Sequence, residues 1–499
     1  MCGIFATTRP VDGKMMDKVL ESMKHRGPDE GKHVDVNAFH LGHQRLSIVG
    51  LEDGIQPITN AGENKWLVCN GEIYNHLQLK KEDLKGEEFL THSDSEAVLK
   101  LYEKEGAGSI EKLDGMFGYF IADVENNTFV AGRDTLGIKP LYYGRDEEGH
   151  YYFSSELKTL YLLIDDAHEF PHGHYFTPEK GFVAYRKIEA PKIDEPNHDW
   201  EVHTEVIREN LVGAVKKRLM ADVEVGVLLS GGLDSSLIAA IANEYTDKPI
   251  KSFCVGSEGS ADILRAREVA EYLGTDHYEY IYTQEELVEA MEHVIYHLES
   301  YEPSLVRSAV PNYFVSKLAA SKVKVILSGE GADELFAGYQ YLSEYQDTNK
   351  LNEEIVRMLN VLHFVNLQRA DRMSMAHSLE LRVPFLDLKV IEDALKIPAD
   401  LKVHKKDRME KWLLRKAFDG WIPENVLWRT KEEFSEGSGA LDVLDSYASE
   451  VFSDVEFERI QKEYSVPLRS KQEALYYRIF KKHFPQQSAL DSVGKWATA

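Results

Sequence analysis

Between residues 223 and 327, short β-type runs alternate with longer stretches of helical spacing, and this alternation restricts the fold more than any other feature. The runs lie at 223–229, 251–255, 277–282 and 323–327. Strands and helices that alternate in this way predict a parallel sheet with helices on both faces. Ligands bind beyond the carboxyl ends of such strands, so we expect the chemistry in the loops after Leu229, Val255 and Leu327.

Residues 2–188 have a different texture, with short β-type runs separated by turn residues and few helices. A strand is expected at 66–69, ending at the turn signal Asn70-Gly71. A hairpin is expected over residues 117–131. This half is therefore predicted to be a layered α+β domain.

The best candidate for a linker is the segment 189–200, EAPKIDEPNHDW, which has two prolines, five charged residues and no apolar period. It divides the chain into a first domain, 2–188, and a second, 201–499. Beyond about residue 351 the second domain is predicted to be mostly helical.

The composition excludes several classes of protein. The chain has 499 residues, with 58 Lys and Arg against 84 Asp and Glu, for a formal net charge of −26. Such an acidic chain is a poor partner for nucleic acid or an anionic membrane, and solubility is the simplest consequence of the charge. Three cysteines are too few for a disulfide framework, no secretory signal is recognised, and no apolar run reaches the ~18 residues that span a bilayer. We expect a cytoplasmic protein.

Cys2 is distinguished by its position. Removal of Met1 before a small residue would leave Cys2 with a free α-amine, whose pKa near 8 allows it to accept the thiol proton. Nucleophile and general base would then belong to one residue. The alternative is a small buried hydrophobic residue, the usual place of a free cysteine.

Other residues favour the nucleophile. Attack on a carboxamide develops an oxyanion, for which the Asn70 side chain and the Gly71 N–H are suitable donors. Arg45 could bind the carboxylate of a free amino acid and Asp94 its ammonium group. Taken singly, Arg45 and Asp94 are more simply surface ion pairs.

This half resembles a class II glutamine amidotransferase domain of the N-terminal-nucleophile hydrolase fold. The matching motifs, in the order of the family, are Cys2, His25-Arg26-Gly27-Pro28-Asp29, Asn70-Gly71-Glu72, and Arg133-Asp134 with Gly137-Ile138-Lys139-Pro140-Leu141-Tyr142-Tyr143. The resemblance implies that Cys2 is the nucleophile and that Asn70 and Gly71 form the oxyanion hole. It implies a glutamine pocket lined by Arg45, Leu46, Ser47, Ile48, Val49, Asn70, Gly71, Glu72 and Asp94.

A second motif follows the first strand of the parallel sheet. Ser230-Gly231-Gly232-Leu233-Asp234-Ser235-Ser236 is a glycine-rich loop before an apolar helix, a combination that favours phosphate binding. An acidic residue in an anion-binding loop is explained if Mg²⁺ bridges Asp234 to phosphate. A structural tight turn would explain the glycines but not Asp234.

The loop matches the signature of ATP-pyrophosphatases, and the second half resembles the synthetase domain of glutamine-dependent asparagine synthetases. Further matches are Ser328-Gly329-Glu330-Gly331-Ala332-Asp333-Glu334, Tyr313, Arg372-Met373-Ser374-Met375, Glu380, Arg382-Val383-Pro384-Phe385-Leu386-Asp387 and Lys431. The predicted fold is thus an α+β N-terminal-nucleophile hydrolase layer sandwich, followed by an α/β parallel-sheet ATP-pyrophosphatase domain with a helical C-terminal part.

The resemblance implies roles for individual residues. Those expected to bind ATP are Leu228, Ser230, Gly231, Gly232, Asp234, Ser235, Ser236, Val255, Ser328 and Gly329. Asp234 and Asp333 would bind Mg²⁺. Glu330 would lie beside a β-aspartyl-adenylate, with Arg307 for carboxylate or phosphate recognition, and Lys431 would neutralise charge on the phosphates. Singly, Lys431 is more simply a solvated charge and Glu330 a helix-start cap.

One segment departs from the family pattern. Before Arg307 the family commonly has Thr-Thr-Ile/Val-Arg, whereas this chain has Ser304-Leu305-Val306-Arg307. A leucine in place of a hydroxyl puts the choice of aspartate in question. Aspartate is still expected, because Arg307 is retained and because neighbours on a strand alternate faces, which would turn Leu305 away from the pocket.

The resemblance implies a synthetase that adenylates the β-carboxyl of aspartate with ATP and Mg²⁺. Ammonia released from glutamine at Cys2 would then reach the adenylate through a protected passage. The implied partners are glutamine, aspartate, ATP and a second copy of the chain in a homodimer. The alternatives are a related amidotransferase that adenylates another carboxylate, and a non-catalytic sensor that keeps the fold.

Overall fold

The computed structural model of the chain describes residues 2–406, 408–430, 440–464 and 467–494. The strands are β1 Gly3–Thr7, β2 Glu30–Val36, β3 Phe39–Arg45, β4 Ile58–Thr59, β5 Lys65–Ile73, β6 Gly115–Asp123, β7 Thr128–Arg133, β8 Tyr142–Arg145, β9 Tyr151–Ser154, β10 Ala167–Glu169, β11 His174–Thr177, β12 Gly181–Ala184, β13 Val225–Leu228, β14 Lys251–Gly256, β15 Asp276–Ile281, β16 Val325–Leu327 and β17 Glu380–Arg382.

The helices of the first half are α1 Gly13–Met23, α2 His76–Lys81, α3 Glu96–Glu105 and α4 Leu157–Leu160. Those of the second half are α5 Trp200–Arg218, α6 Leu233–Glu244, α7 Ala261–Leu273, α8 Gln284–Leu298, α9 Pro303–Ala320, α10 Ala332–Leu335, α11 Thr348–Leu359, α12 Asn366–Met375, α13 Leu388–Ala394, α14 Ala399–Lys402, α15 Trp412–Ala417, α16 Glu424–Leu427, α17 Ala440–Val451, α18 Asp454–Glu463, α19 Lys471–His483 and α20 Gln487–Asp491. Within the described residues, none of these helices is both long and apolar enough to cross a membrane.

The first half consists of two six-stranded antiparallel sheets between layers of helix. The sheet orders are β10-β8-β9-β1-β3-β2 and β12-β11-β7-β6-β5-β4. Phe120 and Phe129 of the second sheet pack with Leu41 and Phe153 of the first, which forms the apolar layer between the sheets. The outer faces are covered by α1 and α4 on one side and by α3 on the other. This is the predicted layer sandwich.

The prediction that the strand at 66–69 ends at Asn70-Gly71 is wrong. Strand β5 continues to Ile73, with Asn70 opposite Gly118 and Gly71 opposite Phe117 on β6. A Cβ on residue 71 would lie 2.0 Å from the Met116 carbonyl oxygen, so the glycine permits close strand approach rather than a turn. The hairpin expected over 117–131 is present as β6 and β7.

The second half is built on a parallel sheet of order β15-β14-β13-β16-β17. The four strands expected from the sequence are present. The fifth strand, β17, was not predicted, because it has only three residues and two of them are charged. Strands β14 and β15 are added on one side of β13, and the next strands in the chain, β16 and β17, are added on its other side. The switch point of the sheet is therefore between β13 and β16. Open parallel sheets bind ligands at this point.

The two halves are packed together along the amino-terminal site. Leu46 and Ile48 lie in one apolar cluster with Val325 of β16. Lys324 Nζ lies 2.6 Å from Asp29, and Gly50 N donates to Asp222 at 2.8 Å. The predicted fold class is confirmed: an α+β layer sandwich, then an α/β parallel sheet, then a helical C-terminal part.

Candidate active sites

Cys2 lies directly before β1, in the middle of the first sheet. It is buried, and its backbone nitrogen lies 3.0 Å from Asn70 Oδ1. Arg26 Nε donates to the Cys2 carbonyl oxygen at 3.0 Å. Burial raises the pKa of the Cys2 thiol, and a hydrogen bond from the Leu46 backbone N–H lowers it. The residue is therefore fixed by contacts from β5, from the segment after β3 and from the segment after α1.

Asn70 offers a free donor beside Cys2. Its side chain is fully buried, Oδ1 accepts from the Cys2 nitrogen, and Nδ2 has no hydrogen-bond partner within the described residues. Leaving a buried donor unpaired costs about 1–3 kcal/mol, a cost that a ligand oxygen would remove. The neighbouring Gly71 has the close backbone approach described above. Asn70 therefore contacts the predicted nucleophile directly, and Gly71 is the next residue of β5.

Two buried carboxylates, Glu72 and Asp94, lie near this donor. Burial raises the pKa of Glu72 well above its ordinary value, and repulsion from Glu380 and Asp94 raises it further, against the attraction of Arg382. Arg382 Nη2 lies 3.5 Å from Glu72 Oε2. Burial also raises the pKa of Asp94, whose Oδ2 accepts from the Ile73 N–H at 2.6 Å. The ammonium group of a ligand would reduce this repulsion between carboxylates.

The run from Arg45 to Val49 begins at the end of β3 and packs against the second half of the chain. The Arg45 guanidinium donates to the carbonyl oxygens of Gly50 at 2.6 Å and Leu51 at 3.2 Å, so in this structure it holds its own loop. Ser47 N donates to Asp29 at 2.8 Å. Leu46 and Ile48 pack against Val325 of the parallel sheet, so their side chains hold this run in place at the interface.

The second site is a cavity of about 620 Å³ at the carboxyl ends of β13 and β16. Its lining includes the predicted residues Leu228, Ser230, Gly232, Asp234, Ser235, Val255, Arg307, Ser328, Gly329, Glu330 and Asp333. The cavity thus lies at the switch point of the sheet, and one space collects residues that are more than 100 positions apart in the chain.

The glycine-rich loop is held by its own hydroxyl groups at the start of α6. Ser235 Oγ lies 3.1 Å from Ser230 Oγ and donates to the Gly232 carbonyl at 3.2 Å. Gly231 has a φ of +69°, and a Cβ there would lie 2.6 Å from the Arg265 backbone, so only glycine fits. Ser236 is fully buried within α6, and its hydroxyl has no partner among the described residues.

The carboxylates of Asp234 and Asp333 converge on one point. Lys411 Nζ lies 2.5 Å from Asp234 Oδ2 and 2.7 Å from Asp333 Oδ1. Attraction to these carboxylates raises the pKa of Lys411 well above its ordinary value, against the effect of burial. Two carboxylate oxygens that converge beside a phosphate-type loop form a hard donor set, and these residues fit Mg²⁺. No motif of the sequence singled out Lys411.

Glu330 is paired with Arg369 of α12 inside the cavity. Next to it, Glu334 is buried and accepts from the Tyr339 hydroxyl at 2.7 Å. Burial, with repulsion from Asp333, raises the pKa of Glu334 to about 7. The cavity wall at this end is therefore formed by acidic groups with defined partners.

The segment 304–307 is helical, which corrects the expectation for Leu305. Ser304 to Arg307 form the first turn of α9, where Glu302 caps the helix by accepting from Leu305 N at 2.8 Å. On a helix, neighbours do not alternate between two faces. Leu305 therefore lines the cavity together with Ser304 and Arg307, whose Nη1 donates to Gln472 at 3.0 Å. The predicted Lys431 lies outside the described residues.

A buried polar network on α12 joins the two sites, and sequence motifs gave its members no role. Arg26 Nη1 lies 2.9 Å from Glu156 and 3.0 Å from Asp371, and Arg372 lies 2.7 Å from Glu299. Arg26 belongs to the motif HRGPD, and α12 itself carries charged residues at positions 369, 371 and 372. Three charged residues within the four positions 369–372 are the signal in the sequence that could have drawn attention to this interface.

Comparison with known proteins identifies the family of this chain. The asparagine synthase family matches residues 206–349 and 342–498, and the glutamine amidotransferase domain family matches residues 1–177. The probable glutamine-hydrolyzing asparagine synthetase of Schizosaccharomyces pombe is 40% identical, over 99% of this chain and 96% of the relative. Asparagine synthetase B of Escherichia coli is 39% identical, over 99% and 93%, and a glutamine-hydrolyzing asparagine synthetase of Zea mays is 38% identical, over 99% and 88%. Over nearly its whole length, the chain belongs to the glutamine-hydrolysing asparagine synthetases.

Proposed function

We propose that this protein makes asparagine from aspartate, using ammonia released from glutamine and the cleavage of ATP to AMP and pyrophosphate. The observation that carries the proposal is the presence of both sites in one packed chain: Cys2 beside an unpaired Asn70 amide, and the cavity that holds Asp234, Glu330 and Asp333. Membership of the family supports the same pair of reactions.

At the first site, Cys2 acts as the nucleophile once Met1 is removed. Its α-amine, oriented by Asn70 Oδ1, accepts the thiol proton, and the thiolate attacks the carboxamide carbon of glutamine. Asn70 Nδ2 and the Gly71 N–H stabilise the oxyanion. Ammonia leaves as a thioester forms, and water then releases glutamate. Arg45 with residues 46–49 binds the glutamine carboxylate side, and Glu72 and Asp94 face its ammonium group.

At the second site, the loop from Ser230 to Ser236 and the amino end of α6 bind the phosphates of ATP. Leu228, Val255, Ser328 and Gly329 surround the adenosine, and Arg307 binds aspartate. The β-carboxylate attacks the α-phosphorus and pyrophosphate leaves; the role that the resemblance implies for Lys431 is to neutralise charge on the phosphates. Asp234 and Asp333 would hold Mg²⁺, which when bound would neutralise negative charge on the phosphates.

Ammonia then attacks the carbonyl carbon of the adenylate, AMP leaves, and a proton is lost beside Glu330. The ammonia must stay unprotonated in transit, because ammonium is not a nucleophile. We propose that it crosses the interface beside α12, since residues of this helix contact both sites.

We assign one reaction to each of the two predicted domains, 2–188 and 201–499, which the linker 189–200 joins. From the resemblance of its motifs we also propose that the protein is cytoplasmic and forms a homodimer. The mass of the particle in solution would test the homodimer.

Product analysis tests the main proposal. Enzyme, glutamine, ATP and Mg²⁺ are combined with aspartate or with each of a panel of other amino and dicarboxylic acids. Asparagine, AMP and pyrophosphate in equal amounts are expected with aspartate. ADP in place of AMP would contradict the mechanism, and a higher kcat/KM with another carboxylate would favour the related amidotransferase, a candidate suggested by Leu305 in the cavity lining. Nucleotide binding without pyrophosphate release would indicate a sensor.

A further inference from the structure

Lys411 occupies the position that the proposed metal ion requires. Its Nζ lies 2.5 Å from Asp234 Oδ2 and 2.7 Å from Asp333 Oδ1, so it stands between the two carboxylates. Mg²⁺ binds oxygen at about 2.0–2.1 Å. An ion bound to both of these oxygens would come within contact distance of Nζ, and two cations repel at that separation. Ammonium and metal therefore compete for one place.

Burial, backbone conformation and a neighbouring glycine together hold the Lys411 side chain between the two carboxylates. The Lys411 side chain is 3% exposed, although it comes from the segment before α15, far in sequence from both carboxylates. Its backbone has a φ of +57°, in the left-handed region that a lysine adopts at a cost. Gly338 makes room for it, since a Cβ there would lie 2.4 Å from Lys411 Cε and 2.0 Å from Asp333 Oδ1.

We propose that Lys411 is an internal cation that holds the Asp234–Asp333 site in the nucleotide-free enzyme and gives it up when a metal–nucleotide complex binds. This inference rests on the proposed function, because that function brings Mg²⁺ to the two carboxylates. The flexible four-carbon stem of lysine allows Nζ to move away from them. Phosphate oxygens of the incoming nucleotide are its next partners.

Two consequences follow from this competition. Without nucleotide, the ammonium group keeps the two carboxylates together and excludes free divalent ions, so the site does not need metal to remain assembled. With nucleotide, the phosphates attract both cations, and the metal enters as Lys411 moves out. Lys411 is thus a positioning residue that makes metal binding depend on the nucleotide.

Binding of Mn²⁺, used as a paramagnetic substitute for Mg²⁺, tests the proposal without any turnover. Free Mn²⁺ is measured by electron paramagnetic resonance, with the full-length protein alone and with α,β-methylene ATP, which is not cleaved at the reacting bond. We expect weak binding by the wild type alone and tight binding with the analogue. Tight Mn²⁺ binding by the nucleotide-free wild type, lost in Asp234→Asn, would overturn the proposal.

Substitution of the lysine gives the second arm. Lys411→Met should bind Mn²⁺ without nucleotide about 10-fold more tightly than the wild type, as expected when a competing cation is removed. Mn²⁺ binding by Lys411→Arg should stay weak, and so should binding by Lys416→Met, which removes a lysine from the following helix, α15, away from the carboxylates. Adding Asp234→Asn to Lys411→Met should remove the gain. Equal affinities of folded Lys411→Met and wild type would contradict the proposal.

Loss of the lysine leaves two carboxylates without their shared cation, so Lys411→Met could be unstable when metal-free. In that case thermal unfolding is followed with and without Mn²⁺, together with the milder Lys411→Gln. A marked rise in Tm with Mn²⁺ for either variant, and none for the wild type, supports the proposal. No rise for either variant contradicts it. Neither result depends on the identity of the product, so failure here is distinct from failure of the proposed function.

Discussion

Arg369 and Asp371 lie on the same turn of α12 but bind partners in different active sites. Arg369 pairs with Glu330 in the nucleotide cavity, whereas Asp371 pairs with Arg26, whose Nε holds the Cys2 carbonyl oxygen. A shift of α12 that changes the Arg369–Glu330 pair would therefore also change the Asp371–Arg26 pair.

Asp371→Asn should uncouple the two reactions. The change removes the charge that faces Arg26 at 3.0 Å, while Glu156 still holds Arg26 at 2.9 Å. We expect glutamine-dependent synthesis to fall several-fold more than ammonia-dependent synthesis, with more glutamate formed per asparagine. Both products are measured together by chromatography. Glu392→Gln, an exposed acid on α13, is the control, and an equal fall of both activities would count against coupling through Asp371.

Cys2→Ala should abolish the use of glutamine and leave synthesis from ammonium salts near its normal rate. The thiol is needed only in the first site, and the nucleotide cavity is lined by other residues. Pyrophosphate release is measured with glutamine and then with ammonium chloride. Cys254→Ala, at a buried cysteine of β14 that lines the nucleotide cavity, is the contrasting variant, because it keeps Cys2 and should still use glutamine. If both activities disappear in a folded Cys2→Ala protein, the assignment of two separate reactions is wrong.

Asp234→Asn should stop ATP cleavage and spare the glutaminase reaction. The proposed task of the carboxylate is to hold Mg²⁺ on pyrophosphate, and an amide oxygen is a weaker and uncharged ligand. A fall in pyrophosphate release of about 100-fold or more is expected from the loss of several kcal/mol of transition-state stabilisation. Near-normal release by this variant would show that the metal ligand lies elsewhere.

The sequence predicted those parts of the fold that depend on local pattern. The motif from Ser230 to Ser236 follows strand β13 and runs into the first turn of α6, and the predicted order of strand, glycine-rich loop and helix alone indicated a phosphate site. It did not reveal β17, whose Glu380 and Arg382 are strand residues only because β16 lies beside them. Long-range pairing decides such short elements, and no local pattern records it.

The candidate sites show the same limit. Asn70-Gly71 has the composition of a turn, but pairing with β6 carries the strand through it. Lys411 comes to Asp234 from 177 positions away, and no spacing in the chain marks that contact. Motifs predicted residues that line each candidate site, whereas the charged contacts that hold those residues in place became visible only in three dimensions.

Leu305→Thr should change the KM for aspartate modestly and leave the product unchanged. Leu305 lines the cavity from the first turn of α9, and a threonine there restores a hydroxyl beside Ser304 and Arg307. A hydroxyl that pairs with the substrate can alter discrimination by orders of magnitude, whereas one that faces a neighbouring helix group cannot. The measurement is pyrophosphate release over aspartate and related acids, with Leu318→Thr later in α9 as control. A change in the preferred acid would show that Leu305 sets specificity.

Lys402→Met should stabilise the protein, and the gain should depend on pH. Lys402 is buried at the end of α14, with its Nζ 3.5 Å from Asn352 Oδ1, and burial lowers its pKa from 10.5 to about 7. Between these values the unfolded chain holds a proton that the folded chain has lost, so stability rises with pH. Below pH 7 both states are protonated and the full penalty of burial is present, on the order of a few kcal/mol.

The substitution removes that penalty, so the increase in Tm should be largest near and below pH 7 and should shrink as the pH rises toward 10.5. Calorimetry of wild type and variant over this range measures the difference. Lys396→Met is the control, because Lys396 is half exposed and paired with Glu392 and Asp393, and its loss should change the free energy of unfolding by only about 0.5 kcal/mol. A gain for Lys402→Met that is the same at every pH would mean that the side chain adds only apolar packing, since relief of a buried ammonium must fade as the unfolded chain loses its own proton.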